Sequence, residues 1–326
     1  MQPIHPEIII NLILQGLGTW LVIPMKFFSF LGNEGFFLFF MPAIYWCLSP
    51  ALGLRLAVAL LLSSSINLSL KYTFHLPRPY WLDSRVLALS AETTFGMPSN
   101  HAQNAAVIWG FLAINAHKKL WKVIAALTIF FIGLSRLYLG VHFLSDVVVG
   151  WLLGFALLGL FLRLEKTVAA WYKRQPLHLL IGCILTGSLI VFAVMAAPAL
   201  IFRTGILPSF WQTKALSAAS NSVFDPYNLT PAASLAGACM GLFTGAAVCA
   251  RTGGWSALPD KPAHLLLRYL IGLAGLIILW IGLEIPFLSS GNILAYPLQY
   301  ARHVLVGMWT TLFAPLLFRR LRLIRS

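Results

Sequence analysis

The sequence predicts an all-α protein, a polytopic transmembrane helical bundle. Composition carries the first part of that expectation. The 326 residues are 59% hydrophobic and only 10% charged, whereas a soluble domain carries roughly 25% charged residues. The apolar residues also fall into separate runs, several of them near the about 20 residues that a helix needs to cross a bilayer. The basic residues lie between these runs. The formal net charge is +14, but the lysines and arginines form no single stripe, so no nucleic-acid partner is expected. Orientation of the spans accounts for them instead.

The first residues lack a basic n-region and a small-residue cleavage site, so no cleavable signal is expected. Residues 8–30 are apolar but interrupted by Gly16, Gly18 and Pro24. Residues 1–33 are therefore read as an N-terminal apolar helix lying in the interface rather than as a tenth span. Spans are expected near 34–50, 52–71, 102–117, 121–137 and 143–163, making a core over residues 34–165. Further spans near 177–198, 230–250, 265–284 and 300–318 fill residues 166–326. The boundary is placed at residues 166–176, where Glu165-Lys166 and Lys173-Arg174-Gln175-Pro176 interrupt the apolar pattern. Cys47, Cys183, Cys239 and Cys249 lie in apolar spans without CxxC spacing and read as packing residues.

The connecting loops alternate in charge, with four basic sets: Lys118, Lys119 and Lys122; Arg163, Lys166, Lys173 and Arg174; Arg251, Lys261 and Arg268; and Arg319, Arg320, Arg322 and Arg325. With these spans all four fall on one side, which the positive-inside rule makes cytoplasmic. The loop from Lys71 to Ser99, the segment from Arg136 to His142 and the loop from Phe202 to Tyr227 then face outwards. The expected location is a multi-pass position in a bacterial inner (cytoplasmic) membrane, with those loops on the periplasmic, extracytoplasmic side.

Three ionisable clusters sit at the ends of these runs: Lys71…Arg78-Pro79, Pro98-Ser99-Asn100-His101, and Ser135-Arg136…His142…Asp146. Charge close to membrane depth is costly, which makes such a cluster a candidate site. His142 and Asp146 are four apart and share a helix face. The carboxylate can hold one tautomer and support the imidazole's positive form, as a nucleophilic histidine requires. A polar pair plugging a helix contact has the same spacing. Ser99 or Asn100 can cap the helix after His101 and leave free backbone N–H groups for an anion, although ordinary capping looks alike. Arg78 and Arg136 offer planar forks to phosphate oxygens and Lys71 a point charge, although a lone lysine at a span end also snorkels. Pro77 and Pro79 stiffen the backbone around Arg78, and Asn67, one turn before Lys71, can orient it. Two histidines and a carboxylate also occur in metal triads, but three adjacent cations repel a divalent ion and neutralise a phosphate. No metal or other cofactor is expected.

The spacing Lys71-x6-Arg78-Pro79, then Pro-Ser-x-His at 98–101, then Ser135-Arg136-x5-His142-x3-Asp146 resembles the signature of the type 2 phosphatidic acid phosphatase (PAP2) superfamily. The resemblance covers roughly residues 34–165. One position departs from it: Asn100 stands where the motif usually has glycine. The resemblance implies a PAP2-like core, here followed by additional C-terminal transmembrane helices whose role no motif names. It implies His142 as the nucleophile that forms a phosphohistidine, Asp146 as its orienting carboxylate, and His101 as the acid that protonates the leaving oxygen and then activates water. Lys71, Arg78, Ser99 and Arg136 would bind phosphate oxygens, with Asn67, Asn100 and Ser135 in support.

The function expected is a metal-independent membrane phosphatase acting on a lipid phosphate or lipid diphosphate. The same intermediate could pass its phosphate to a lipid or sugar hydroxyl, which would make the protein a phosphotransferase. The extra spans also admit a non-catalytic transporter or scaffold, with Asp225 and Glu284 along a polar route. The pattern does not select one lipid or an oligomeric state.

Overall fold

The computed structural model describes residues 6–203, 205, 207–218, 223–257, 261–282 and 294–324. Among these, every regular element is helical: α1 (Ile8–Gly16), α2 (Val22–Phe30), α3 (Glu34–Ala43), α4 (Pro50–Phe74), α5 (Pro79–Leu82), α6 (Asn100–Asn115), α7 (Lys119–Tyr138), α8 (Leu144–Arg174), α9 (Leu177–Phe202), α10 (Ser209–Ala218), α11 (Thr230–Arg251), α12 (Pro262–Gly282), α13 (Ala295–Met308) and α14 (Ala314–Arg320). Glu284 and Arg325 lie outside the described residues.

Seven helical stretches among the described residues are long and apolar enough to cross a membrane, so the protein is a polytopic helical membrane protein. Two expected spans are shorter. The apolar stretch Glu34–Leu48 replaces 34–50, and α6, with 16 residues, replaces 102–117. At 1.5 Å per residue α6 rises only about 24 Å, less than the hydrocarbon core. Its buried Gln103 and Asn104 are satisfied by protein partners, so α6 is an internal helix as much as an apolar one. Residues 8–30 do not make one straight rod: α1 and the helical stretch Thr19–Phe30 meet at 96°. Gly18 turns the corner at φ 110°, in a region closed to most side chains.

One boundary moves. Arg163, Lys166, Lys173 and Arg174, expected in a loop, all lie on the last turns of α8, which runs for 31 residues. No helix breaker occurs before Pro176. Glu165 is also satisfied on the helix, accepting from Arg55 of α4 at 2.8 and 2.5 Å. Arg268, expected beside a loop, is buried in α12 and donates to the Leu323 carbonyl.

The chain divides into two compact units. The first is Met1–Phe36, Leu62–Leu162 and Ala197–Asn228; the second is Phe37–Leu61, Arg163–Ala196 and Leu229–Ser326. In the first unit Ala102, Leu137 and Val147 form one buried cluster, and Ala105, Ile129 and Ile132 another, with Trp151 against both. α8 runs against the start of α6 at backbone distance. A Cβ on Gly150 would lie 2.8 Å from the Ser99 carbonyl, and one on Gly154 2.5 Å from that of Gln103. Glycines four apart permit such an approach between membrane helices. In the second unit Gly237 and Gly241 of α11 meet the backbone of Tyr300 and Val304 on α13 in the same way. All four cysteines are free thiols.

Candidate functional site

The candidate residues come from helix ends within the first unit. Lys71 is in the last turn of α4, and Arg78 is the extended residue before α5. Ser99 is the N-cap of α6, its hydroxyl accepting from Ala102 N at 3.4 Å, which places His101 in the first turn. Arg136 ends α7 and Asp146 begins α8. Asp146 thus sits where a helix favours negative charge. His142 lies in the tight connection between α7 and α8.

His142 Nδ1 is 3.1 Å from Asp146 Oδ2, which also accepts from Phe143 N at 3.0 Å. With the carboxylate as acceptor, Nδ1 carries the proton and Nε2 keeps its lone pair. Arg78 Nη1 is 3.3 Å from that nitrogen and also donates to the Val141 carbonyl at 2.9 Å. The rest of the Arg78 guanidinium holds Thr94 O at 2.6 Å, Thr94 Oγ1 at 2.9 Å and Phe95 O at 3.1 Å. Lys71 Nζ reaches Phe95 O at 2.5 Å and Gly96 O at 3.1 Å. Arg136 donates to Ser29 Oγ at 2.5 Å and to Glu92 Oε1 at 2.6 Å. Lys71, Arg78, Arg136, His142 and Asp146 are all buried. His101 is half-buried and lies beside Gly32, where an added Cβ would stand 3.4 Å from its ring.

Three supporting assignments change. Asn67 does not orient Lys71; its amide donates to Pro98 O at 3.3 Å and Gln103 Oε1 at 2.8 Å. It faces α6, so it pins the residues before His101 instead. Ser135 turns away from the cluster, donating to Ile132 O of its own helix at 2.6 Å. Asn100 accepts from Asn104 at 3.0 Å, which joins it to a buried ladder with Ser63, Ser64 and Gln103.

Sequence reasoning missed Glu92. Its carboxylate joins the two arginines, at 2.6 Å from Arg136 Nη2 and 3.6 Å from Arg78 Nη2. Burial alone would raise its pKa, but Arg78 and Arg136 outweigh burial and hold it down at about 2. Glu92 lies in an irregular loop where no period marks it. The clamp on the His142 turn was also missed. Asn11 of α1 donates to Leu137 O at 2.8 Å and to His142 O at 3.1 Å. Gln15 donates to Tyr138 O at 3.0 Å, and Glu7 accepts from Ser145 N at 2.8 Å.

His142 is held well below the ordinary histidine range, first by burial and then by Arg78 and Lys71. At neutral pH it is therefore an uncharged imidazole with one bare nitrogen among three cations. Both carboxylates are engaged, Asp146 by the imidazole and a backbone N–H, Glu92 by guanidinium. That set suits an incoming anion better than a metal cation.

The PAP2 superfamily model matches residues 52–169, and the model described as PAP2 superfamily phosphatase, transmembrane extension, matches residues 233–326. Phosphatidylglycerophosphatase B of Bacillus subtilis is 39% identical over 75 residues, covering 20% of this chain and 37% of the relative. Sphingosine-1-phosphate phosphatase 1 of Rattus norvegicus is 28% identical over 166 residues, covering 47% and 39%. Glucose-6-phosphatase 3 of Bos taurus is 28% identical over 198 residues, covering 52% and 56%. The chain thus spans between about a third and about a half of the length of these relatives. A crystal structure of a transmembrane PAP2-type phosphatidylglycerolphosphate phosphatase from Bacillus subtilis aligns with a TM-score of 0.44 at 26% identity, over 50% of this chain and 85% of that one. The two family models together take in more than half of the sequence, core first and extension after it, and the chain belongs to the PAP2 superfamily.

Proposed function

We propose that the protein is a membrane phosphatase that removes phosphate from a lipid phosphate or lipid diphosphate through a phosphohistidine on His142. The observation that carries this reading is the His142 imidazole, bonded to Asp146 through Nδ1 and facing Arg78 through Nε2. In the first step the Nε2 lone pair attacks phosphorus and the bond to the leaving oxygen breaks, with His101 donating a proton to that oxygen. In the second step His101 takes a proton from water, the water oxygen attacks phosphorus, and the P–N bond breaks. Asp146 supports the cationic ring between the steps. Lys71, Arg78, Arg136 and the N-terminal turn of α6 capped by Ser99 bind the oxygens and stabilise their charge, a role that metal ions fill elsewhere. The names of the phosphatidylglycerol- and sphingosine-phosphate phosphatases among the relatives support a lipid substrate.

His142→Ala is expected to lower turnover by about a thousandfold or more, because binding energy does not replace a nucleophile. Acid-quenched wild-type protein should carry phosphate on that histidine, and activity should persist in excess EDTA. Retention of a tenth of the activity by the alanine variant would remove His142 from this role.

Arg78→Lys and Arg136→Lys should each cost about 2–4 kcal/mol of transition-state stabilisation, since an ammonium does not reproduce the fork. Arg163→Lys, on the exposed end of α8, serves as the control and should be near silent. Equal behaviour of all three in kcat/KM would make the arginines topological.

Glu92→Gln leaves Arg78 and Arg136 without their counter-charge. A loss of roughly 1–3 kcal/mol in stability is expected, read as a lower Tm in detergent. Added inorganic phosphate should restore Tm more in the variant than in the wild type, because a ligand stabilises the state it binds. An unchanged Tm would mean that the carboxylate is not the arginines' counter-ion.

The site is proposed to face away from the cytoplasm, opposite the basic sets. Ser84 is exposed on the loop between α5 and α6. Ser84→Cys should react with an impermeant thiol reagent in intact cells or spheroplasts. Labelling only after lysis would reverse the topology.

A further inference from the structure

A cleft of about 380 Å³ opens beside the arginines, within the first unit. Lys26, Ser29, Phe30 and Asn33 line it from one stretch of chain, Leu89, Ser90 and Ala91 from a second, and Leu139 from a third. Ser90 is two residues from Glu92, and Leu139 is three residues from Arg136. A chain of contacts connects the cleft to the proposed nucleophile. Ser29 Oγ accepts from Arg136 Nη1 at 2.5 Å, and Arg136 Nη2 is 2.6 Å from Glu92 Oε1. Glu92 Oε2 is 3.6 Å from Arg78 Nη2, and Arg78 Nη1 is 3.3 Å from His142 Nε2. Arg136 therefore links the cleft residue Ser29 to Glu92 and, through it, to Arg78.

Two features give this cleft an anionic occupant. Lys26 is its one charged lining residue. Ser29 Oγ accepts from Arg136 Nη1 and so keeps its own O–H to donate to an oxygen in the cleft. Half of the lining residues, Lys26, Ser29, Asn33 and Ser90, are polar and can hold a headgroup. The neighbours of Lys26 on α2 leave the tail a different place: Ile23, Phe27 and Phe30 are all exposed on this apolar helix.

We infer that the cleft is a subsite for a second phosphate group of the substrate, the one that stays with the lipid when the terminal phosphoryl moves to His142. This inference rests on the phosphatase reading above. The second phosphate can be joined directly, as in a lipid diphosphate, or through a short polyol as a phosphodiester. Lys26 and Ser29 would meet it in either case, and a lipid with a single phosphate leaves the cleft without an anion.

The test compares binding and turnover. By calorimetry in detergent, an alkyl methylenebisphosphonate should bind the wild-type protein about tenfold more tightly than the matching alkylphosphonate, the gain expected of a charge-assisted contact. Lys26→Gln should remove that difference and Lys26→Arg should keep it. In turnover, Lys26→Gln should lower kcat/KM through KM by about tenfold on second-phosphate substrates relative to a single-phosphate lipid. Loss confined to the diphosphate, or to the glycerol-spaced phosphodiester, identifies which linkage the cleft serves. A bisphosphonate that binds no more tightly than the phosphonate overturns the subsite, as does a Lys26→Gln variant that weakens both ligands alike. A protein that hydrolyses none of these lipids but keeps the Lys26-dependent binding difference overturns the phosphatase reading and leaves the subsite standing.

Discussion

Burying Lys71, Arg78 and Arg136 around the one loop that carries Glu92 and Phe95 is the constraint around which the first unit is organised. Removing a cation from water costs on the order of several kcal/mol per ion even after relaxation. Here backbone carbonyls and carboxylates offset that cost. Lys71 and Arg78 share the Phe95 carbonyl, and Arg78 also takes Thr94 and Val141. Glu92 supplies the negative charge between the two guanidiniums. The loop before α6 therefore has no freedom to be a regular helix or strand: its carbonyls must turn towards the cations. Its irregular path follows from electrostatics more than from turn propensity.

Close helix packing then fixes the histidines relative to that loop. Gly150 and Gly154 let α8 lie against the first turns of α6, and Ser99 N donates to the Asp146 carbonyl at 3.0 Å. The backbone of Asp146, the carboxylate partner of His142, is thus tied to the cap residue of the helix that carries His101. A ladder of buried amides and hydroxyls between α4 and α6 holds the same junction from the other side. Polar groups left unpaired at this depth would be costly, so each rung favours a single register of α6 on α4.

The residues at helix ends could be recognised from the sequence because their spacing is local. Lys71 to Arg78, Ser99 to His101 and His142 to Asp146 each lie within about two turns of one another, and an apolar background makes them stand out. What escaped notice depends on contacts between distant segments. Asn11 reaches the His142 turn across 131 positions, Ser29 reaches Arg136 across 107, and Glu92 reaches Arg136 across 44. Asn67 and Ser135 were misplaced for the opposite reason. Proximity in sequence to Lys71 and Arg136 suggested a shared task, but helix geometry turned Asn67 to α6 and Ser135 back to Ile132. The run of charges from Arg163 to Arg174 marked a change of environment, not the end of a helix, because charge does not break a helix as proline does.

The bent pair at the N-terminus joins apolar surface to the buried cation cluster. α1 clamps the His142 turn with Asn11 and Gln15, and α2 places Ser29 on Arg136. The same short helices carry Ile13, Trp20, Ile23 and Phe27 exposed. One element therefore offers apolar surface on one side and touches the anion-binding groups on the other. Two short helices at 96° can do this where a single straight span cannot. A straight rod would set Asn11 and Ser29 far apart along one line, whereas the bend at Gly18 sets α1 against the His142 turn and α2 against Arg136. For the lipid phosphate proposed as substrate, the apolar part need not leave a hydrophobic surface for its phosphate to approach the buried cations. That removes the largest desolvation term that a soluble enzyme would face with the same molecule.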